Sequence, residues 1–203
     1  MRHDESPKLY PPLPIASADF RDAFERGRAT IFAIAVDQKR TIYIASIYGY
    51  TGSHDSTSRA TATDAIFQSL VIELQHHPKA PTFIIGDFNA DLNDIETVKD
   101  LLSTGWTDLG GDAFIWNRKS ADYTCISHNS RTPTRRDFAL ADPQAFEMVA
   151  DFNVLHTELV RVHDVLQIRL QGHPCTSSRD IPRPHISIKT LFNEFVLSRS
   201  AES

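Results

Sequence analysis

The sequence has only two cysteines in 203 residues, Cys125 and Cys175, and their spacing fits no metal-binding pattern. Free thiols in a reducing compartment are the expected state. It also lacks a basic excess: 21 Lys and Arg stand against 26 Asp and Glu, for a net charge of −5. A compact nucleic-acid binder carries a basic footprint, so a purely DNA-binding role is disfavoured. An enzyme that meets phosphates through a local patch remains open. No apolar run approaches the length that spans a bilayer. The opening stretch MRHDESPKLYPPLPIAS has no apolar core of a secretory signal. A soluble intracellular protein, nuclear or cytoplasmic, is expected, with no membrane partner. There is no internal repeat and no long low-complexity tract. What is present suits one domain with tails: hydrophobic residues make up 41% and charged residues 23%, ordinary values for a globular chain with a real core.

Residues 1–15 are polar and proline-rich and read as an extended tail. Ser17 is a candidate N-cap for a short helix that ends at Gly27. ATIFAIAV and TIYIASIYGY, separated by the polar DQKR, predict a β-hairpin. Beyond a polar loop, Ile66, Leu70 and Leu74 recur four apart beside Phe67 and Val71, the stripe of an amphipathic helix. HHPKAP ends that helix, because proline cannot continue it. TFIIG then reads as a buried strand. The order strand, strand, crossover helix, strand predicts an α/β (α+β) fold with a mixed sheet covered by helices. DIETVKDLLSTG reads as a further helix, and YTCIS, RDFALADP and HDVLQIRL as further strands. In the last, Leu166, Ile168 and Leu170 fall on one face. From Gly172 the composition shifts to Pro, Ser, His and Arg, which suggests a linker, and SIKTLFNEFVLSRS suggests a terminal helix. The expected division is residues 1–28 as tail and short helix, 29–171 as the domain, and 172–203 as linker and tail.

The most informative stretch is PTFIIGDFNADLND. An apolar strand runs into Gly86 and then presents Asp87 and Asn89 at its tip. Two apart in a strict strand, they would share a face. A Gly-Asp-x-Asn turn that caps its own backbone explains the tip as well. What tips the balance is order: IYIASIYGY, FIIGDFNAD and TRRDFALADP follow one another and precede VHDVLQIRL. Together these motifs resemble the C-terminal part of the endonuclease/exonuclease/phosphatase family over roughly Ala29 to Leu170. Apurinic endonucleases and the nuclease domains of non-LTR retrotransposons belong to that family, and TPTRRDFALADP brings the retrotransposon type nearest.

The resemblance implies a partial four-layer α/β sandwich and a metal-dependent phosphodiester hydrolase, DNA endonuclease-like, with Mg²⁺ as its cofactor. It assigns Tyr48 to the scissile phosphate, Asp87 to the attacking water, and Asn89 to orientation of the phosphate and its neighbours. Asp137 would orient His163, and His163 would bind the phosphoryl oxygen. These roles agree with what in-line attack needs: an oriented water, a base, and donors aimed at the equatorial oxygens. The Asp–His pair would fix the imidazole tautomer.

The metal half of the pattern is missing. Residues 1–28 offer no strand carrying the family's Asn or metal-binding Glu; Glu5 and Glu25 lie in no strand context. In the closing strand Val162 stands where the family has Asp, and valine cannot ligate a metal. Asp164 points to the other face. Mg²⁺ prefers one or two carboxylates plus substrate phosphate, which leaves Asp87 as a lone, weak ligand. Weak or no activity is therefore expected for this chain alone. A non-catalytic remnant or binding module of the same fold is the alternative. A phosphatase acting on a small phosphoester or phosphoinositide is a weaker one. The partner would be DNA or another phosphodiester. With half of the sandwich absent, an open apolar sheet face would invite self-association or a protein partner. Of the remaining features, Arg131, Arg135 and Arg136 read as a solvated basic loop, His76 and His77 as helix-end residues, and Cys125 as small apolar packing.

Overall fold

The computed structural model describes residues 8–36, 40–52, 57–126, 132–157 and 162–171. The expected linker and terminal helix, together with Glu5, Arg131 and Cys175, lie outside these residues. In chain order, β1 (Lys8–Pro12) leads to helix α1 (Ala18–Glu25), whose Ser17 side chain caps it as expected. Strands β2 (Ala29–Ala35) and β3 (Thr41–Tyr48) form the antiparallel hairpin, in register from Ala29 opposite Ile47 to Ala35 opposite Thr41. Helix α2 (Thr57–Gln75) carries the chain across, and β4 (Thr82–Asp87) returns parallel to β3. Such a crossover is obligatory, because a tight turn cannot join parallel neighbours. Helix α3 (Glu96–Ser103), β5 (Thr107–Asp108) and the two short strands β6 (Cys125–Ile126) and β7 (Pro133–Thr134) follow. Then come β8 (Asp137–Ala141), helix α4 (Pro143–Glu147), β9 (Val149–Leu155) and β10 (Val165–Leu170). The main sheet has the order β1-β2-β3-β4-β8-β5, and β9 and β10 form a separate two-stranded ribbon.

Helices cover one face of the sheet. Phe20, Ile66, Phe67, Leu70 and Val98 pack there against Ile31, Ala45, Ile84 and Leu140. The periodic stripe of α2 is therefore the face that meets the sheet, which is why the period was legible. Phe88, just past β4, bridges Phe67 (ring centroids 4.8 Å apart) and Phe138 (5.2 Å). The opposite face was expected to be open, and over β4 and β8 it is not. Ile42, Phe83, Ala139 and Ala141 are buried beneath Leu109, Ala145, Val149 and Phe152. The β9–β10 ribbon lays Leu166, Ile168 and Leu170 on the same cluster. Strand β9 was not foreseen: VADFNVL alternates poorly, and only its pairing with β10 defines it. RDFALADP is likewise shorter as a strand than expected, because Asp142 leaves the sheet to cap α4, accepting from the Ala145 amide at 2.7 Å.

The N-terminal segment, read as a tail, is part of the sheet. Strand β1 pairs with β2 at the sheet edge, where prolines are tolerated because one side of the strand needs no donors. The turn into α1 is anchored by Glu73, whose side chain is 1% exposed. Its carboxylate accepts from the Ala16 amide (2.9 Å) and the Ser17 amide (2.7 Å), and His77 Nε2 lies 2.9 Å away. So His77 belongs to a structural clasp rather than to a helix end alone. Burial would raise the Glu73 carboxyl, but the two amides and His77 outweigh it and hold it below the ordinary value. A depressed carboxylate stabilises the fold above its unfolded pKa and loses that contribution as pH falls. Glu73→Ala removes these bonds and strands two amides, so it is expected to cost about 2–4 kcal/mol in urea unfolding at neutral pH, with the deficit shrinking in acid.

Candidate active site

Three residues singled out from sequence lie side by side on one rung of the sheet. Tyr48 at the end of β3 pairs with Asp87 at the end of β4, and Asp87 pairs with Asp137 at the start of β8. Directly paired residues project to the same face, so the register places this phenol and these two carboxylates in a row. Two glycines let the strand ends come this close. A Cβ on Gly86 would lie 2.0 Å from the Ile47 carbonyl oxygen, and a Cβ on Gly49 would lie 2.0 Å from the Phe88 carbonyl oxygen. Gly86 also has φ +143°, a conformation that side chains rarely adopt.

His163 joins the row from a separate segment. Cys125 forms an antiparallel bridge with His163, the Ile126 amide donates to the Val162 carbonyl (3.0 Å), and the Asp164 amide donates to the Thr124 carbonyl (2.7 Å). His163 Nδ1 lies 2.8 Å from Asp137 Oδ2, and Nε2 lies 3.8 Å from Asp87 Oδ2. The first contact makes Nδ1 the donor, so Nε2 is the atom turned toward Asp87. The second is too long for a hydrogen bond, so the two groups are poised about a gap rather than paired.

Asn89 does not share a strand face with Asp87, as strict alternation would have it. It sits past the strand end with φ +52° and folds back. Its amide donates to Asp87 Oδ1 (3.0 Å), and its Nδ2 donates to Asp87 Oδ2 (2.9 Å) and to the Gly49 carbonyl (3.3 Å). The turn reading and the site reading of GDFNAD thus describe the same geometry: the turn fixes the carboxylate. Burial first, and the Asp137 charge second, push the Asp87 carboxyl up from its ordinary value; His163 and the Asn89 donors oppose this without cancelling it. A raised carboxyl binds a proton more readily in the native state, so its contribution to stability is present at low pH and lost as pH rises through the folded value. Asp87→Asn is therefore expected to gain stability relative to wild type as pH climbs from the carboxylate range to neutrality, measured by urea midpoints at matched pH.

Thr124 went unrecognised in the sequence. Fully buried, its Oγ1 accepts from both the Arg136 and Asp137 amides (3.0 and 2.9 Å). Its carbonyl holds the Asp164 amide. It therefore fixes Asp137 and the His163 segment relative to each other. The available signal was a threonine amid strand-like residues just ahead of Cys125. Arg28 was missed too: its guanidinium lies 4.9 Å from the Tyr48 ring centroid and 4.5 Å from that of Tyr50, and donates to the Gly49 carbonyl (3.1 Å). Tyr48 itself is 47% exposed and joins the site through strand register. Arg135 is no solvated residue. It pairs through two nitrogens with Asp108, lies 4.5 Å from the Phe138 ring centroid, and is 15% exposed. Cys125 is buried as expected, and burial pushes its thiol up.

The described side chains around this row do not fit a divalent cation. Both oxygens of Asp87 receive Asn89, Asp137 holds His163, position 162 is valine, and Asp164 accepts from the Thr157 amide at 3.1 Å. Among the described residues, no group of three His, Cys, Asp or Glu side chains could hold a metal ion. Nor does any described helix have the length and apolarity to cross a membrane.

Residues 6–164 match the model of the Endonuclease/Exonuclease/phosphatase family. No curated protein matches the chain. Among solved structures, an AP endonuclease from Archaeoglobus fulgidus superposes with a TM-score of 0.56 at 17% identity, over 82% of this chain and 72% of that one. The 3′ phosphatase NExo from Neisseria, bound to product DNA hairpin, gives 0.51 at 16% identity, over 70% and 64%. The 3′–5′ exonuclease NExo from Neisseria meningitidis gives 0.52 at 14% identity, over 69% and 64%. This chain therefore spans less than two thirds of the Neisseria enzymes. Identities this low speak to fold alone, and that fold is a nuclease and phosphatase fold. Sheet order, motif order and the family match agree: the chain belongs to the Endonuclease/Exonuclease/phosphatase family.

Proposed function

We propose that this chain carries the water- and phosphate-handling part of a metal-dependent phosphodiester hydrolase of the DNA-nuclease type, with weak or no turnover by itself. The supporting observation is the row Tyr48, Asp87, Asp137 with His163 bridging Asp137 and facing Asp87. In this reading Asp87, held by Asn89, takes the proton of an attacking water. His163, held by Asp137 and doubly protonated, donates from Nε2 to a phosphoryl oxygen. Tyr48 contacts the same phosphate from the exposed side. TPTRRDFALADP is the sequence feature that favours a retroelement nuclease as the ancestor. That no group of described residues could hold a cation favours a second reading, a non-catalytic module of the same fold.

Supercoiled-plasmid nicking at low salt tests the proposal; low salt matters because phosphate contacts weaken steeply as salt rises. The expected result is trace nicking, hardly stimulated by Mg²⁺ over EDTA and lost in Asp87→Ala. Efficient Mg²⁺-dependent nicking that Asp87→Ala abolishes would overturn the claim of weak turnover. Nicking indifferent to Asp87 would overturn the site.

A further inference from the structure

A second cluster of titratable groups lies behind His163 and takes no part in the row described above. His156, just past the end of β9, has a carboxylate against each ring nitrogen. Nδ1 lies 2.8 Å from Asp164 Oδ2, and Nε2 lies 3.1 Å from Asp122 Oδ2. The other oxygen of Asp122 receives Lys119 Nζ at 2.6 Å, and the other oxygen of Asp164 receives the Thr157 amide at 3.1 Å. The Tyr123 ring lies on His156 with centroids 4.6 Å apart. Among the described residues, these are the charged and titratable groups that face the ring: Asp122, Asp164, Tyr123 and, through Asp122, Lys119.

The chemistry of this arrangement is constrained. A neutral imidazole has one donor and one lone pair, whereas two carboxylates require two donors. Only the imidazolium satisfies both contacts, and the neutral ring must release one of them. The ring is 44% exposed, so protons reach it freely. The consequence for the site follows from chain connectivity. Asp164 is the residue after His163, and Asp122 lies two residues before Thr124, which supports both Asp137 and the Asp164 amide.

We infer that His156 is a positioning residue for His163: its doubly hydrogen-bonded ring ties Asp164 to Asp122 and so holds the His163 segment against the segment whose Thr124 supports Asp137. The inference deepens the hydrolase reading and rests on its assignment of His163 to the phosphate. Hydrogen bonding to Asp164 raises the His156 pKa above its ordinary value; desolvation opposes it, and Asp122 adds to the rise. The tie is therefore complete below that raised value and lost as pH rises through it.

The test compares wild type, His156→Ala and His156→Arg in the full chain by NMR. It reads amide exchange at Asp164 and the His163 ring resonances as a function of pH. In His156→Ala, the Asp164 amide is expected to exchange about tenfold faster or more, with His163 resonances displaced. In wild type, its protection should fall as His156 titrates. In His156→Arg, whose fork can donate to both carboxylates at all accessible pH, protection should survive and that pH dependence should vanish. Unchanged exchange and unchanged His163 resonances in His156→Ala would overturn the inference, as would a wild-type pH dependence retained in His156→Arg. These readouts need no turnover, so the nicking assay and this comparison can fail independently.

Discussion

Gly86→Ala is expected to lose about 3–5 kcal/mol of folding stability, read as a fall in the urea midpoint. Two penalties coincide there. The φ of +143° is hostile to a side chain, and the added Cβ would lie 2.0 Å from the Ile47 carbonyl oxygen and 3.0 Å from its carbonyl carbon and amide nitrogen. The obstructing atoms are backbone of the paired parallel strand, so they cannot swing aside like a flexible side chain. Against a typical domain stability of about 5–15 kcal/mol, such a loss populates the unfolded state appreciably. Gly27→Ala is the control: its φ is +66°, but nothing lies within 4 Å of the added Cβ, so only the backbone penalty of about 1–2 kcal/mol applies. The difference between the two variants reads the harsher φ at Gly86 together with close strand approach, the feature that puts Asp87 beside Tyr48.

Whatever nicking the chain supports is expected to fall about 10²-fold or more in His163→Ala and in Asp137→Asn. The first removes the ring whose Nε2 is turned toward Asp87. The second leaves the ring in place but replaces an obligatory acceptor with an amide that can present either a donor or an acceptor, so the tautomer is no longer fixed. Both substitutions should spare the fold. The Asp137 amide remains held by Thr124, and His163 is about one third exposed, at 32%. Unaltered urea midpoints with lost nicking would place the defect in the chemistry. Undiminished nicking in Asp137→Asn would remove the Asp137–His163 pair from the mechanism.

The hairpin, the crossover helix and the Gly-Asp-Phe-Asn strand end were legible because their burial is periodic and local. Ile66, Leu70 and Leu74 announce a helix facing a sheet, and alternating Leu166, Ile168 and Leu170 announce a half-covered strand. Asp87, Asp137 and His163 could be chosen as a set only through motif order, since their meeting depends on strand register that no local pattern encodes. The same limit explains the omissions. Thr124 matters through two backbone amides it receives from twelve and thirteen residues away. His156 matters through carboxylates on two other segments. Strand β9 exists because β10 pairs with it. Arg135 looked solvated because its partner Asp108 lies 27 positions earlier in the chain.

In the proposed reading, the phosphate-handling row has no working cation site among the described residues. Calorimetric titration of Mg²⁺ into the purified chain, with and without a phosphodiester oligonucleotide, tests it most directly. No saturable heat is expected at millimolar Mg²⁺ in either case, because no group of three described His, Cys, Asp or Glu side chains could hold the ion. A saturable isotherm near one ion per chain, abolished by Asp87→Ala, would contradict it.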